Sequence, residues 1–591
     1  MDTTPPAAPG ESLAGQATAR AAAPAAMTVE QATQHLIEND PAFELTEITL
    51  NGIRYKAFRN IPETVSDLME QGMLAHDDGA APYLFFEDEH WSYGAFCNEV
   101  RHMAGVLHGT LGVRRGDRVA LVMRNFPELP ILTLAVASLG ATAVFMNAWW
   151  TGAELDYALR DCEPRAVFAD GARVAAIMPL KDRHGFALIG LRDGDGMCEH
   201  SYRALRNAWQ GGTPARPQIM PEDDFAIMYS SGTTGHPKGV VQTHRAAVTA
   251  VYCWMMQAAI APLRQPPAPN DPAPLPPSFL ITTPLFHVTA MYPLFLFSLP
   301  SGARITLMYK WDAHEAIDII RRNAVTRFLG VPTQSADLLT AVEESDAELP
   351  SLRFIGAGGA KRPAAQVDQL AQQFPQAMIA TGWGMTETCA LGIGMTGEEY
   401  SLRPEAAGHL HPPVQEMRII DDAGRDLPPG EVGEIVIKSP AVMRCYLNQP
   451  EATADTLRDG WLHSGDLGMV DADGFVTILD RKKNIIIRGG ENIACLDVEG
   501  AIHRHPDVIE ACAFALPDDR LGEVVGAALH LRPGAWLDRD TLAAFLRDRL
   551  AHFKIPERIW CQHDPLPRAS TEKTDRRAIR AACLAEADQS V

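Results

Sequence analysis

Tyr229-Ser-Ser-Gly-Thr-Thr-Gly-His-Pro-Lys-Gly-Val240 is the stretch on which the reading of this chain turns. It follows the short apolar run Phe225–Tyr229, which has the length and composition of a buried strand, and it precedes a helical stretch opening near His244. Its glycines let backbone N–H groups approach an anion closely. The Ser and Thr hydroxyls add donors, and Lys238 brings one full positive charge. A loop of this kind suits a polyphosphate. It is not a Walker A loop, because GxxxxGK[ST] cannot be placed on it. A strand that passes through an anion-binding loop into a helix belongs to α/β architecture.

The flanking sequence repeats the same rhythm. Strand-like runs at Arg118–Met123, Ala141–Phe145, Ala166–Ala169, Phe279–Thr283, Arg304–Leu307, Arg327–Gly330 and Arg353–Gly356 alternate with helical stretches such as Asp312–Asn323 and Pro363–Gln373. That alternation predicts two mainly parallel α/β lobes. From about residue 408 the texture changes to short strands and turns: Met417–Asp421, Asp426–Gly430, Gly433–Ile437, Gly468–Asp471 and Gly474–Leu479. A small β-rich subdomain over 408–479 is expected, closing an N-terminal unit of 27–479. A compact α+β C-terminal domain, 480–591, follows. Residues 1–26, rich in Ala, Pro and Thr without periodicity, read as a disordered tail. Pro262–Pro277 reads as a surface loop inserted in the second lobe. Two apolar runs, Leu129–Met146 and Phe279–Leu299, are interrupted by Pro and Gly, so each predicts strand plus helix rather than a membrane span.

The 591 residues carry 52 Lys plus Arg against 74 Asp plus Glu, a net charge of −22. An acidic balance argues against a general nucleic-acid binder, which needs a positive surface. The ten Cys show no CxxC and no zinc spacing, and they fit a reducing cytoplasm. Only ten residues are Lys, among them 238, 310, 361, 482, 483 and 573. Arg replaces Lys on most solvated faces, but a compact ammonium is not replaceable where it must touch a phosphate in a tight space.

Five segments in order carry a family resemblance. The loop at 229–240 is similar to the phosphate loop of the adenylate-forming superfamily, and Gly382-Trp-Gly-Met-Thr-Glu-Thr388 resembles its aromatic-Gly-x-Thr-Glu signature. Gly460-Trp-Leu-His-Ser-Gly-Asp466, Asp480–Ile493 and Leu566–Lys573 resemble its ribose, hinge and C-terminal lysine motifs. The resemblance covers the chain from about residue 60 onward. It implies that a carboxylate and ATP form acyl-AMP and pyrophosphate, after which a thiol displaces AMP.

Roles follow from the matched positions. Ser230, Ser231, Gly232, Thr233, Thr234, Gly235 and Lys238 are implied to hold the phosphates, and Thr233 with Glu387 to hold Mg²⁺. Trp383, Gly384 and Thr386 on one side and Gly358, Gly359 and Ala360 on the other are implied to flank adenine. Asp466 and Arg481 are implied to hold the ribose, and Lys573 to bridge carboxylate and α-phosphate. Lys483 is the implied hinge, with Gly489 and Gly490 presented to a pantetheine arm after domain rotation, and His287 stands where acid pocket and thiol tunnel meet. The acid pocket is expected from His287–Met291, Gly356–Gly358 and Thr386–Gly392, with Val288, Ala290, Met291, Ala357, Cys389, Ala390 and Leu391 as contents. No Asp stands in those segments to receive an ammonium, which weighs against amino acids.

Asn147-Ala-Trp-Trp150 resembles acyl-CoA synthetases for fatty or other bulky hydrophobic acids. Only residues 574–591 follow Lys573, so free coenzyme A is favoured over a tethered carrier. Transfer to a carrier protein, luciferase-like oxidation and a noncatalytic nucleotide-binding homologue remain alternatives, and a homodimer is compatible with the resemblance. One position departs from the pattern: Glu572 stands where the family usually has Gly before the lysine. It is expected to point outward, neutralised by Arg568, Arg576 or Arg577.

Overall fold

The structure is a computed structural model that describes residues 26–230, 237–266, 273–569 and 573–589. The tail at 1–25 lies outside the described residues. Two large sheets dominate. In the first, Thr142–Phe145, Arg118–Val122, Ala166–Ala169, Ala187–Gly190 and His200–Ser201 run parallel, and Asp224–Ser230 joins parallel to Thr142–Phe145. Lys238–Thr243 and Cys445–Tyr446 extend that edge antiparallel. Four-residue strands such as Ala166–Ala169 are buried at every position, as expected of a parallel strand covered on both faces.

The second sheet is built on Phe354–Ala357, Arg327–Gly330, Ser278–Ile281 and Arg304–Leu307, all parallel, with Pro82–Phe86 beyond them. Met378–Gly384 adds in parallel, followed by antiparallel Gly392–Thr396 and His409–Leu410. One apolar core joins the two sheets, with Phe145, Phe168 and Phe225 from the first and Phe279, Ile281 and Ile305 from the second.

Helices in the shared core explain the apolar runs. Glu128–Ser138 is buried on nearly every face, so its sequence is apolar all round. Its run then continues into the strand Thr142–Phe145, as expected. Phe279–Leu299 likewise resolves into the strand Ser278–Ile281, a loop, and the helical turns Val288–Ala290 and Met291–Leu296. His244–Arg264 is long and apolar enough to cross a membrane, but 56 % of its apolar window is buried inside the fold, where Val251, Tyr252 and Met256 join the core. That is how a core helix packs. It also takes in Pro262, so the expected Pro262–Pro277 loop starts later. In the final turn a proline forfeits one intrahelical bond only.

A third sheet pairs Glu416–Ile420, Gly433–Lys438, Trp461–Val470 and Val476–Arg481 antiparallel. The strand expected at Asp426–Gly430 does not form. Asp426 makes a single bridge to Ile420, and the rest is turn, because Pro428 and Pro429 offer no N–H to a ladder. After Arg481 the hairpin Val508–Asp518/Gly522–Leu531 organises a separate sheet with Ile486–Arg488, Glu491–Ile493 and Arg558–Gln562. Its core, including Ile486, Val498, Val525 and Leu546, draws on residues of that region alone. The large N-terminal and small C-terminal α/β parts face each other across a cleft. Asp224–Ser230, Arg327–Gly330, Phe354–Ala357 and Met378–Gly384 all end at its N-terminal wall, where α/β sheets place ligands.

Candidate active site

The cleft holds a cavity of about 1000 Å³. At one end, Ser230 pairs with Lys238 across two antiparallel strands, closing the foot of the 229–240 loop. Ser231, Gly232, Thr233, Thr234 and Gly235 lie outside the described residues. Lys238 Nζ stands 4.7 Å over the ring of Tyr446, whose O–H donates to Glu387 Oε1 at 2.7 Å. Glu387 is only 7 % exposed and lines the cavity. Its turn, Thr386–Thr388, is held by Gln242, which donates to Thr386 O at 2.6 Å and accepts from the Tyr292 hydroxyl. Glu387 thus offers hard oxygen donors. Among the described residues no three His, Cys, Asp or Glu stand together as a metal cage. One carboxylate is nevertheless the usual protein share for Mg²⁺ held mainly by phosphates and water, so Glu387 fits that ion.

Asp466 sits in the middle of Trp461–Val470, opposite Arg481 in register. Trp383 Nε1–H donates to its Oδ2 at 2.8 Å, and Arg481 Nε lies 2.9 Å from its Oδ1. Burial raises the Asp466 pKa, against the lowering effect of Arg481 and the indole N–H. Each oxygen thereby has one protein partner, and Asp466 lines the cavity. The turn before it is fixed by Glu434, which accepts from Gly465 N–H at 3.0 Å and pairs with Lys482. Gly359, Ala360, Gly384 and Thr386 line the cavity with Trp383. Gly358 stands behind them, its N–H bound to Gly330 O.

Lys573 arrives from the C-terminal part. A Cβ on Gly359 (φ +80°) would lie 2.5 Å from Lys573 Cε and 2.8 Å from Nζ, so only glycine admits this approach. Burial, then the Arg481 charge, lowers the Lys573 pKa to about 8. His287 is near enough to feel Lys573; burial first and that ammonium second lower its pKa to about 3. Its Nδ1 accepts from Thr289 N–H at 3.3 Å, which leaves the proton of the neutral ring on Nε2.

Sequence reasoning missed the groups that pin Lys573. Ala569 N–H donates to Lys573 O at 2.7 Å, and at the stem of this loop Arg568 bridges to Thr574. Arg568 Nη1 reaches Asp337 Oδ2 in the N-terminal part at 3.4 Å, and Nη2 reaches Glu510 in the C-terminal part at 3.2 Å. Trp311 Nε1–H also donates to Asp337, at 2.8 Å. Arg576 is bound to Glu499. Glu572 itself lies outside the described residues.

The structure brings Lys483 to the same cavity, where burial and then Arg481 lower its pKa to about 8. Gly489 and Gly490 do not join it. They are the exposed tip of the Ile486–Arg488/Glu491–Ile493 hairpin. The expected acid pocket also needs correction. Of its seven named contents only Val288 lines the cavity, while Ala290, Met291, Cys389 and Leu391 are fully buried in the core. The apolar wall comes instead from Trp150, Phe286, Val331, Pro332 and Ala336. Asp337 lines the cavity as well, held by Trp311 and Arg568.

The chain matches the family model described as AMP-binding enzyme over residues 74–447, and the AMP-binding enzyme C-terminal domain over 497–573. It is 31 % identical to the indoleacetate–CoA ligase of Aromatoleum aromaticum, covering 84 % of this chain and 94 % of the relative. To the long-chain-fatty-acid–CoA ligase of Bacillus subtilis it is 31 % identical, covering 79 % and 86 %. ATP-bound MatB from Rhodopseudomonas palustris is similar in structure, with a TM-score of 0.77 at 25 % identity over 88 % of this chain and 98 % of that one.

Proposed function

Because the chain belongs to the AMP-binding enzyme family, in its acyl-CoA ligase branch, we propose that it converts a hydrophobic carboxylic acid to acyl-AMP and passes the acyl group to coenzyme A. The observation that carries this reading is the convergence of Lys573 with Gly359 and His287 in the cavity that also holds Asp466, Glu387 and Lys238.

In the first step a carboxylate oxygen attacks the α-phosphorus of ATP, and the bond from that phosphorus to the bridging oxygen breaks to release pyrophosphate. Lys238 stabilises the charge that grows on the leaving group, and the hydroxyls and amides of residues 231–235 supply further donors for it. Asp466 accepts hydrogen bonds from the ribose hydroxyls through its remaining lone pairs, and the Trp383 face supports adenine. Lys573 bridges the attacking carboxylate and the α-phosphate. When bound at Glu387, Mg²⁺ supplies charge neutralisation of the phosphates. For the second step the segment 480–591 turns about Lys483, withdrawing Lys573 and bringing Gly489 and Gly490 to the pantetheine arm. The thiol sulfur then bonds to the acyl carbon, the carbon–oxygen bond to AMP breaks, and the thiol proton leaves to solvent.

Trp150, Phe286, Val288, Val331 and Pro332 support a hydrophobic acid, as do relatives named for indoleacetate and long-chain fatty acids. Pyrophosphate release measured with ATP, Mg²⁺ and a panel of indoleacetate, ferulate, hexadecanoate, malonate and phenylalanine tests it. A hydrophobic monocarboxylate should lead, and preference for phenylalanine or malonate would overturn the acid class. The ten cysteines, all free, accord with a cytoplasmic location.

Two further results are expected. Arg568→Ala should slow adenylation about tenfold and leave thioester formation from supplied acyl-AMP unchanged, because the Arg568–Asp337 pair ties the Lys573 segment to the N-terminal part and the proposed rotation would break it. Asp337→Ala should do the same, and the double variant should be no worse than either single. Strictly additive losses would show that the pair does not act as a unit.

The second concerns pH. The working form of Lys573 is the ammonium, present below its depressed pKa of about 8 and lost above it. Adenylation kcat/KM for ATP should therefore fall about tenfold per unit above pH 8. In the residual activity of Lys573→Arg, whose guanidinium stays charged, that alkaline limb should vanish. Its persistence there would assign it to another group, such as Lys483.

A further inference from the structure

Arg362 is among the largest fully buried side chains, at 1 % exposure, and yet it lines the main cavity. Its Nη2 reaches Ser335 Oγ at 3.4 Å, while Nε and Nη1 have no hydrogen-bond partner among the described residues. Burial lowers its pKa to about 10, so it stays a cation at neutral pH. The carboxylates of Glu405 and Asp337, which also line the cavity, already serve other cations. Glu405 pairs with Lys361 at 2.9 Å and Arg504 at 3.4 Å, and Asp337 with Arg568 at 3.4 Å. The Tyr400 ring lies 6.0 Å from Arg362 Cζ, too far to stand in for a counter-charge. A buried cation without a partner is costly, so a group from outside the fold is needed to bring the opposite charge.

Position narrows what that group is. Arg362 follows by three residues Gly359, against which Lys573 ends, so the two Cα atoms are at most about 11 Å apart. Ser335, which Arg362 reaches, sits on the helix Pro332–Ser345, and Pro332 and Ala336 of that helix belong to the apolar wall of the cavity. The phosphates of ATP belong beside Lys238, on the other large sheet. A molecule whose reacting carboxylate lies at Lys573, and whose carbon chain follows the apolar wall, can end at Arg362. A second carboxylate matches the guanidinium there in both charge and shape.

Resting on the reading that the protein adenylates a hydrophobic acid, we infer that its substrate is a dicarboxylic acid of about six to ten carbons, apolar in the middle, activated at one carboxylate and held at the other by Arg362. The far carboxylate accepts from the guanidinium N–H groups that have no partner in the protein, and Ser335 keeps the guanidinium in place. Malonate, with a single methylene, has no apolar middle to lay along Pro332 and Ala336. A simple monocarboxylate leaves Arg362 without a counter-charge.

The test measures pyrophosphate release with ATP and Mg²⁺ for octanedioate, its monomethyl ester and octanoate, using wild-type enzyme, Arg362→Met and Arg362→Lys. Wild-type kcat/KM should be about tenfold or more higher for octanedioate than for the ester or octanoate. In Arg362→Met the three acids should differ by less than about twofold, while Arg362→Lys, which retains the charge, should keep part of the preference. The melting temperature of Arg362→Met without ligand should equal or exceed that of wild type, because an uncompensated buried charge has been removed. A wild-type enzyme that prefers octanoate or the ester overturns the inference and leaves the hydrophobic-acid reading standing. An octanedioate preference that survives Arg362→Met overturns it too, as does a lowered melting temperature with equal losses on all three acids. If no acid releases pyrophosphate, indoleacetate and hexadecanoate included, the hydrophobic-acid reading falls and this inference falls with it.

Discussion

Lys573→Ala should cut acyl-AMP formation by about 10²–10³-fold while leaving thioester formation from supplied acyl-AMP within about threefold of wild type. The ammonium stands where a Cβ on Gly359 would lie 2.8 Å from it. After burial, its charge is the second cause that lowers the His287 pKa, which places it in the cavity where attacking carboxylate and α-phosphate are proposed to meet. A charged donor aimed at developing transition-state charge in a water-poor site is worth several kcal/mol, and alanine replaces none of it. The second step needs the same carbon open to a thiol, so Lys573 must be elsewhere by then. Quenched-flow measurement of acyl-AMP, together with a thioester assay from synthetic acyl-AMP, separates the two steps. Equal losses in both would mean that Lys573 serves a single fixed site and that no rearrangement separates the half-reactions.

Glu387→Gln should lower adenylation by about 10²-fold and move its Mg²⁺ dependence to higher concentration. The substitution keeps volume, and the Tyr446 hydroxyl can still donate to the amide oxygen, so the turn at Thr386–Thr388 should hold its shape. What disappears is one full negative charge beside Lys238 and the triphosphate. A hard dication loses most of its attraction to a neutral amide. Activity measured across a Mg²⁺ titration reads this directly. An unchanged titration midpoint with lowered activity would make Glu387 a partner of Lys238 and Tyr446 rather than an ion ligand.

Most of the architecture was legible because its signals are local. Ala166–Ala169 and Arg327–Gly330 are contiguous apolar runs, and the 229–240 loop carries strand, glycines and lysine within twelve residues. Asp466 and Arg481 are fifteen positions apart but fall opposite each other in one antiparallel pair. The acid pocket was not legible in the same way. Which side of a turn faces a cavity depends on what packs behind it, and behind Thr386–Gly392 lies the shared core that takes in Cys389 and Leu391. The wall passed instead to Val331, Pro332 and Ala336, on a helix start that carries no chemical signature. Arg568 and Asp337 were illegible for a simpler reason. They are 231 residues apart, and only the closing of one part on the other makes them partners.

The most direct measurement of the central claim is the nucleotide product formed from ATP, Mg²⁺, a hydrophobic acid and coenzyme A. AMP and pyrophosphate should form in equal amounts, matched one-for-one by acyl-CoA, with acyl-AMP accumulating when coenzyme A is withheld. Formation of ADP and phosphate, or AMP release with no acyl-AMP under any condition, would contradict that claim.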